Sequence, residues 1–215
     1  MLLLLCSLGA CSSTRLVRPL EQGQAAVGFD FGGPLIDFAG LVIPVPFTSV
    51  TGAYGVTGDL TAFGSVHATA AAAGVFQMEL GVVKSLLPES VEAPRRFNVS
   101  IAPVVHLMAR QSFRLYPEID INAYWRYGKR VGNFAYVSVS NWFDFWAQSA
   151  HGQVNRERYI PNLALGHTFV TPKMRYTLEA RWLAPFSSNA NIVVGYNGIG
   201  GQGSLGVYFS VYRYF

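Results

Sequence analysis

The 215-residue chain has few charged residues and almost no cysteine. Asp, Glu, Lys and Arg together make up 13% of it, against about a quarter in typical soluble domains. The two cysteines, Cys6 and Cys11, lie near the amino terminus, so no disulfide is expected to stabilise the remainder. No run of about 18 apolar residues is present, which excludes a membrane-spanning helix. Because 51% of the residues are hydrophobic, the apolar surplus must be accommodated in another kind of structure.

Signatures of nucleic-acid, nucleotide and metal binding are missing as well. The net charge is +4, but the basic residues are scattered and no Lys/Arg-rich helix or RNA-binding signature is present. No glycine-rich loop follows a strand and opens a helix, as a phosphate site would require. The four histidines lack the spacing of metal ligands. The sequence therefore predicts no nucleic-acid partner and no bound metal, and its positive charge is compatible with an anionic lipid surface.

Apolar and polar residues alternate with a period of two over most of the chain, which is typical of β-strands with two different faces. The segment LYPEIDINAYWRY shows this best. One face carries Glu118, Asp120, Asn122, Tyr124 and Arg126, and the other carries Ile119, Ile121, Ala123 and Trp125. The segment MRYTLEARWLAP repeats the arrangement, with charged residues opposite bulky apolar ones.

Runs of this kind predict about ten strands. They lie near residues 24–33, 49–56, 60–69, 75–85, 97–109, 115–127, 133–144, 160–170, 174–184 and 204–215. Tight connections alternate with long ones, which together with an even strand number is typical of transmembrane barrels. We therefore predict an all-β fold, an antiparallel up-and-down transmembrane β-barrel of about ten strands (about 8 to 12) over residues 24–215. Pro103 falls inside a predicted strand and requires a bulge there.

A soluble lipocalin-like barrel or a β-sandwich would show the same alternation with its apolar face turned inward. The low charge fraction, the terminal phenylalanine and aromatic residues near predicted strand ends favour the membrane barrel, which carries aromatic girdles at both interfaces. The aromatic residues in question are Trp125, Tyr127, Trp142, Phe145, Trp146, Phe169 and Trp182. We therefore expect the polar face to line the lumen and the apolar face to contact lipid.

The first residues combine a short apolar run with a cysteine. Leu8-Gly9-Ala10-Cys11 resembles the lipobox of bacterial lipoproteins, in which the cysteine carries diacylglycerol and the chain is cut before it. The resemblance implies a signal peptide at residues 1–10, a lipidated tether at 11–23, and lipid on Cys11 with no other cofactor. The serines that follow Cys11 imply sorting to the outer membrane.

The last residues, SLGVYFSVYRYF, alternate to the end of the chain. A final aromatic residue preceded by apolar or aromatic residues at alternate positions resembles the signal that the outer-membrane barrel assembly machinery recognises. The matching residues are Val207, Phe209, Val211 and Phe215. The resemblance implies a protein of the Gram-negative outer membrane. Its partners would be that machinery and outer-membrane lipids, and both termini would face the periplasm.

The predicted polar face places a group of charged residues in a narrow lumen. They are Asp30, Glu79, Glu118, Asp120, Arg126, Arg175, Glu179 and Arg181. In a barrel of this size we expect these side chains to interlock in a hydrogen-bonded network, which predicts a closed or barely conducting pore.

One pair within this lumen is a weak candidate for catalysis. A turn at residues 111–113 would make His106 and Glu118 cross-strand neighbours, with His67 and Asp144 near the same end of the barrel. A carboxylate beside an imidazole suits general base catalysis, but no obvious nucleophile accompanies the pair.

The sequence favours a structural or accessory component of a larger outer-membrane complex, without catalysis. In this interpretation the lipid on Cys11 holds the N-terminal segment at the inner leaflet, where it positions the barrel against a partner. Two alternatives stay open. One is a barrel enzyme acting on outer-leaflet lipid or external peptide, and the other is a small-solute channel.

Overall fold

The computed structural model describes residues 16–87, 97–110, 112–127, 132–148, 157–189 and 195–215. The predicted signal peptide and Cys11 lie outside these ranges. The strands of the described chain are β1 (Ala25–Phe38), β2 (Leu41–Pro44), β3 (Phe47–Thr57), β4 (Leu60–His67), β5 (Phe76–Ser85), β6 (Phe97–Ala109), β7 (Phe113–Arg126), β8 (Phe134–Phe143), β9 (Tyr159–Val170), β10 (Met174–Ser188) and β11 (Gln202–Tyr214), and a short helix α1 spans Ala68–Ala72.

Ten of these strands close into an antiparallel barrel, so the predicted fold class and strand number are confirmed. Each barrel strand pairs with the next along the chain, and β11 returns to β1, with Ala26 opposite Tyr214 and Pro34 opposite Gly206. Beyond that ladder the Phe215 amide donates to the Ala25 carbonyl at 2.9 Å. Closure removes the unpaired strand edges that an open sheet would expose to lipid.

The sequence analysis missed two elements at the end of the barrel opposite the termini. Strand β1 continues past the barrel and forms a hairpin with β2, in which Phe38 lies opposite Leu41. The two turn residues, Ala39 and Gly40, both have positive φ (54° and 82°), as a two-residue type I′ hairpin requires. Helix α1 occupies the small-residue connection between β4 and β5.

The two faces of the sheet are distributed as expected for a membrane barrel. On β1, Asp30 is 3% exposed and points into the lumen, whereas its neighbours Phe29 and Phe31 are 46% and 41% exposed on the outside. The same alternation recurs on the other barrel strands. A soluble barrel would bury the apolar face instead. The alternative of a soluble lipocalin-like barrel or β-sandwich is therefore wrong for this structure.

Pro103 lies in β6 without the predicted bulge. The register between β5 and β6 is the same on both sides of it, with Gly81 opposite Val104 and Lys84 opposite Ile101. The bridge pairs between these two positions are absent from the ladder, whereas Pro103 stays paired with Ile119 on the β7 side. Pro103 has no N–H to donate, and the ladder is interrupted beside it on the β5 side only. The strand keeps its register.

The aromatic residues divide between the two faces. Trp125, Tyr127, Phe145 and Phe169 are exposed, as expected of girdle positions. Trp142 is buried instead, because it lies opposite Glu118 in the ladder and shares its inward face. Within the described ranges, no helix has the length and apolarity needed to cross a membrane.

Candidate functional site

A chain of alternating imidazoles and carboxylates crosses four neighbouring strands inside the lumen. His67 Nε2 lies 2.7 Å from Glu79 Oε1, and His106 Nε2 lies 2.5 Å from Glu118 Oε2. His106 Nδ1 lies 3.6 Å from Glu79 Oε1, which is beyond hydrogen-bond distance but brings the two pairs side by side. All four side chains are buried. We refer to His67, Glu79, His106 and Glu118 as the His–Glu chain.

Strand register explains why these residues meet. Glu79 and His106 are direct cross-strand partners between β5 and β6. Glu118 lies opposite Val104, one inward position along from His106, so His106 reaches it diagonally. The predicted proximity of His106 and Glu118 is thus present in the structure, while a catalytic role for them stays a prediction. The sequence analysis placed Glu79 in the lumen but did not identify it as the connecting residue.

Aromatic rings cover the His–Glu chain on the side of β8. The ring centroids of His106 and Trp142 are 4.1 Å apart, and those of Tyr116 and Trp142 are 5.3 Å apart. Asp144 lies two residues beyond Trp142, where its Oδ1 accepts a hydrogen bond from the Trp146 amide at 3.0 Å. Both His106 and Trp142 are buried, so the imidazole has no contact with solvent in this structure.

A second polar cluster surrounds Asp30 on β1. The hydroxyls of Ser49 and Thr51 donate to Asp30 Oδ2 at 3.1 and 2.9 Å. The Thr51 hydroxyl also lies 2.8 Å from that of Ser65, which extends the network to β4. Buried hydroxyls of this kind compensate the carboxylate for the water it loses.

A third cluster lies around Glu179 on β10. The Tyr136 hydroxyl donates to Glu179 Oε2 at 2.5 Å, and Arg181 Nε donates to Oε1. The Arg181 guanidinium lies 4.8 Å from the centroid of the Tyr208 ring. Tyr136 reaches Glu179 by crossing Gly166 of β9, where an added Cβ would lie 2.0 Å from Tyr136 Cζ. Glycine at position 166 is therefore required for the ring to cross.

Three further residues of the predicted network are Asp120, Arg126 and Arg175. Asp120 and Arg175 are buried, and Arg126 is half-buried. The Arg175 guanidinium lies 4.7 Å from the centroid of the Tyr214 ring. Within the described part of the chain, no group of three or more His, Cys, Asp or Glu residues is arranged to hold a metal ion.

Part of the predicted N-terminal tether lies inside the barrel. Leu16, Val17 and Leu20 are buried. The Leu20 amide donates to Thr61 Oγ1 at 2.7 Å, and Ser100 Oγ donates to the Val17 carbonyl at 2.5 Å. We call residues 16–24 the N-terminal segment. The sequence analysis did not place it in the lumen, because the peptide LVRPLEQGQ shows no strand alternation.

The barrel wall around the N-terminal segment is largely apolar, unlike the remainder of the lumen. Leu16 and Leu20 belong to one buried cluster with Ala26, Ala53, Phe63, Val83, Ala102, Val104, Tyr212 and Tyr214. Val17 belongs to a second one with Tyr124, Phe134 and Tyr136. The end of the lumen that carries the termini is therefore filled largely by hydrophobic packing, with Thr61, Ser100 and Arg175 hydrogen-bonded to the segment. The more distant part is filled by the polar clusters.

The residues of the predicted assembly signal lie on the outer surface of β11. Phe209 and Phe215 are exposed, and Val211 between them is half-buried. Arg213 shares this face, and its guanidinium lies 5.3 Å from the centroid of the Phe215 ring. Recognition of these residues by the assembly machinery stays a prediction.

Comparison with solved structures agrees with the barrel architecture. Along 95% of its length the chain is similar to an outer-membrane channel from Pseudomonas putida F1, of which it covers 100%, at 10% identity and a TM-score of 0.51. It also matches the NanC porin (8% identity, 89% of this chain and 99% of that chain, TM-score 0.45). A third match is the translocator domain of the autotransporter NalP from Neisseria meningitidis (8% identity, 91% and 90%, TM-score 0.46). The first similarity shows a shared barrel fold, whereas no protein-family model and no curated protein sequence matches the chain.

Proposed function

We propose that this protein is an outer-membrane channel for small solutes. The observation that carries the proposal is a polar lumen inside a barrel whose outer surface is apolar. Solutes that cross an outer membrane through a barrel need this arrangement, because the lumen must replace water while the outside contacts lipid. The full-length similarity to an outer-membrane channel from Pseudomonas putida F1 supports the same function over that of an accessory subunit.

We infer that the described conformation is closed. The polar clusters occupy the middle of the lumen and the N-terminal segment fills the end with the termini. A ten-stranded barrel is only slightly wider than barrels whose interior is filled by side chains. We therefore expect small and infrequent conductance from the unmodified protein.

Single-channel recording of the refolded full chain in planar bilayers tests this function. We expect discrete current steps that become larger in Arg181→Ala, because this substitution removes a buried guanidinium from the lumen. Arg213→Ala is the matched control, since Arg213 lies on the outer face. Absence of steps from the unmodified protein, from Arg181→Ala and from a variant that lacks residues 16–24, with the barrel folded in each, would contradict the channel function.

The same proposal places the barrel in the outer membrane, with both termini in the periplasm and lipid on Cys11. The exposed aromatic residues on β11 support contact with the assembly machinery.

An accessory role would require a partner that depends on the lipid. Cross-linking in intact cells tests this: a partner that is lost in Cys11→Ser supports an accessory role, and identical products from both proteins reject it.

One observation favours the enzyme alternative, namely the 2.5 Å contact between His106 Nε2 and Glu118 Oε2. The expected activity is hydrolysis of an outer-leaflet lipid or an external peptide. It should disappear in His106→Ala while the barrel still folds. Equal activity in the variant, or no activity in the unmodified protein, rejects this alternative.

A further inference from the structure

We propose that residues 16–24 are an autoinhibitory plug that closes the channel from within. The inference rests on the proposed channel function, because a plug regulates only a barrel that otherwise conducts. It concerns the end of the lumen that carries the termini, where the N-terminal segment lies within the wall.

The first argument is chemical matching between the plug and the wall. The apolar side chains of Leu16, Val17 and Leu20 contact apolar or aromatic wall residues, in a lumen that is otherwise lined by polar groups. Leaving this position would expose both apolar surfaces to water, so the closed state is favoured. An apolar segment placed farther along the lumen would instead contact the clusters around Asp30, Glu179 and the His–Glu chain, where its side chains would have no apolar partners.

The second argument is hydrogen bonding between the backbone of the plug and the wall. In addition to the Leu20 and Val17 contacts, the Gly23 amide donates to the Gly55 carbonyl at 2.9 Å. The Gly55 amide in turn donates to the Gln24 carbonyl at 2.9 Å. The Leu20 and Val17 contacts satisfy polar groups in the buried part of the segment, as its irregular backbone requires. The bonds of exposed Gly23 and half-buried Gln24 hold the end of the segment against β3.

The third argument is the shape of the wall at Gly55 on β3. A Cβ atom added there would lie 2.0 Å from the Glu21 carbonyl oxygen and 3.3 Å from Leu20 Cβ. No side chain fits at position 55 while the plug is in place. Gly52 on the same strand has no atom within 4 Å of an added Cβ, so it provides a matched control.

The first experiment measures the position of the plug without relying on conductance. A single reporter cysteine, Val17→Cys, is placed in the full chain with Cys6 and Cys11 replaced by serine, and its labelling by a water-soluble maleimide is timed in the refolded barrel. We expect Gly55→Ala to accelerate labelling by about tenfold or more, which corresponds to weakening the closed state by about 1.4 kcal/mol. Gly52→Ala should leave the rate unchanged.

The second experiment records conductance from the same variants. We expect larger or more frequent current steps in Gly55→Ala than in Gly52→Ala. Faster labelling of Val17→Cys without any conductance would overturn the channel function. It would still show that the segment can be displaced from the wall. Conductance in all variants with equally fast labelling of Val17→Cys would overturn the plug and leave the channel.

A variant on the plug itself guards against a folding defect in Gly55→Ala. Leu20→Asp puts a charge among apolar wall residues and should expel the plug while leaving the wall intact. Gln22→Asp adds the same charge at an exposed position of the segment and serves as the control. If Leu20→Asp folds and labels no faster than Gln22→Asp, the plug is rejected.

Discussion

Removal of the Glu79 carboxylate is expected to be among the most damaging single substitutions in the lumen. Glu79 Oε1 lies 2.7 Å from His67 Nε2 and 3.6 Å from His106 Nδ1. Glu79→Ala therefore removes the hydrogen-bond partner of His67 and a carboxyl neighbour of His106, both of which are buried. Leaving a buried hydrogen-bonding group without its partner costs about 1 to 3 kcal/mol, and we expect the free energy of unfolding to fall by at least that amount.

The assay is equilibrium unfolding of the refolded barrel in lipid vesicles, followed by tryptophan fluorescence. Trp142 contacts His106 and is expected to report on the region directly. Glu21→Ala removes a glutamate from an exposed position and is the matched control. A Glu79→Ala loss of less than about 1 kcal/mol, within the usual range of a surface substitution, would refute the importance assigned to the His–Glu chain.

Three further predictions concern other parts of the barrel. Gly166→Ala should displace the Tyr136 ring and destabilise the barrel by about 1 to 3 kcal/mol in the same unfolding assay. Deletion of Phe215 should reduce the amount of barrel assembled in the outer membrane of cells, measured by fractionation, while refolding in vitro continues. At the β3–β4 turn, the hydrogen bond from Lys84 holds the pKa of the Asp59 carboxyl below its usual value. This contribution to stability is present above the unfolded pKa and is lost as pH falls through the folded one, and an NMR titration should show the Asp59 midpoint rising in Lys84→Gln.

Each of these predictions has an opposing outcome, and the glycine prediction also has a control. Gly58→Ala, with no atom within 4 Å of the added Cβ, should leave stability unchanged, and an equal loss in both glycine variants would contradict the Tyr136 argument. Equal assembly with and without Phe215 would remove its role as a signal. An Asp59 midpoint that is identical in the unmodified protein and in Lys84→Gln would contradict the assigned hydrogen bond.

The strands and their faces could be predicted because both follow from local sequence. Strand β7 shows this, since every second residue from Glu118 to Arg126 is polar or amphipathic and points inward. The low charge fraction then indicated which face contacts lipid. The hairpin at Ala39 and Gly40 was missed because Ala-Gly is not among the dipeptides that favour positive φ at both turn positions.

The lumen was predictable in composition but only partly in contacts. His106 and Glu118 lie on strands joined by a short turn, so their proximity follows from sequence spacing. The link from Glu79 to His106 depends on the register between β5 and β6, which a long connection does not determine. Trp142 was assigned to the aromatic girdle because it lies near a predicted strand end. It points inward instead, because it is directly opposite Glu118 in the ladder.

The N-terminal segment lay beyond sequence reasoning for a physical reason. Its site is a surface assembled from β1, β3, β4, β5, β6, β7, β8 and β11. Of these strands only β1 is adjacent to it in sequence. Gly55 makes room for Glu21 only after these strands have closed. Fit of this kind is a property of the folded barrel and leaves no periodic signal in the chain.

Semi-native gel electrophoresis of the protein from fractionated outer membranes, with and without boiling, tests whether the chain forms a transmembrane barrel. A folded transmembrane barrel should migrate differently before and after boiling and should be found in the outer-membrane fraction. Release of a water-soluble protein by cutting the N-terminal tether, without a heat-dependent shift, would exclude a transmembrane barrel.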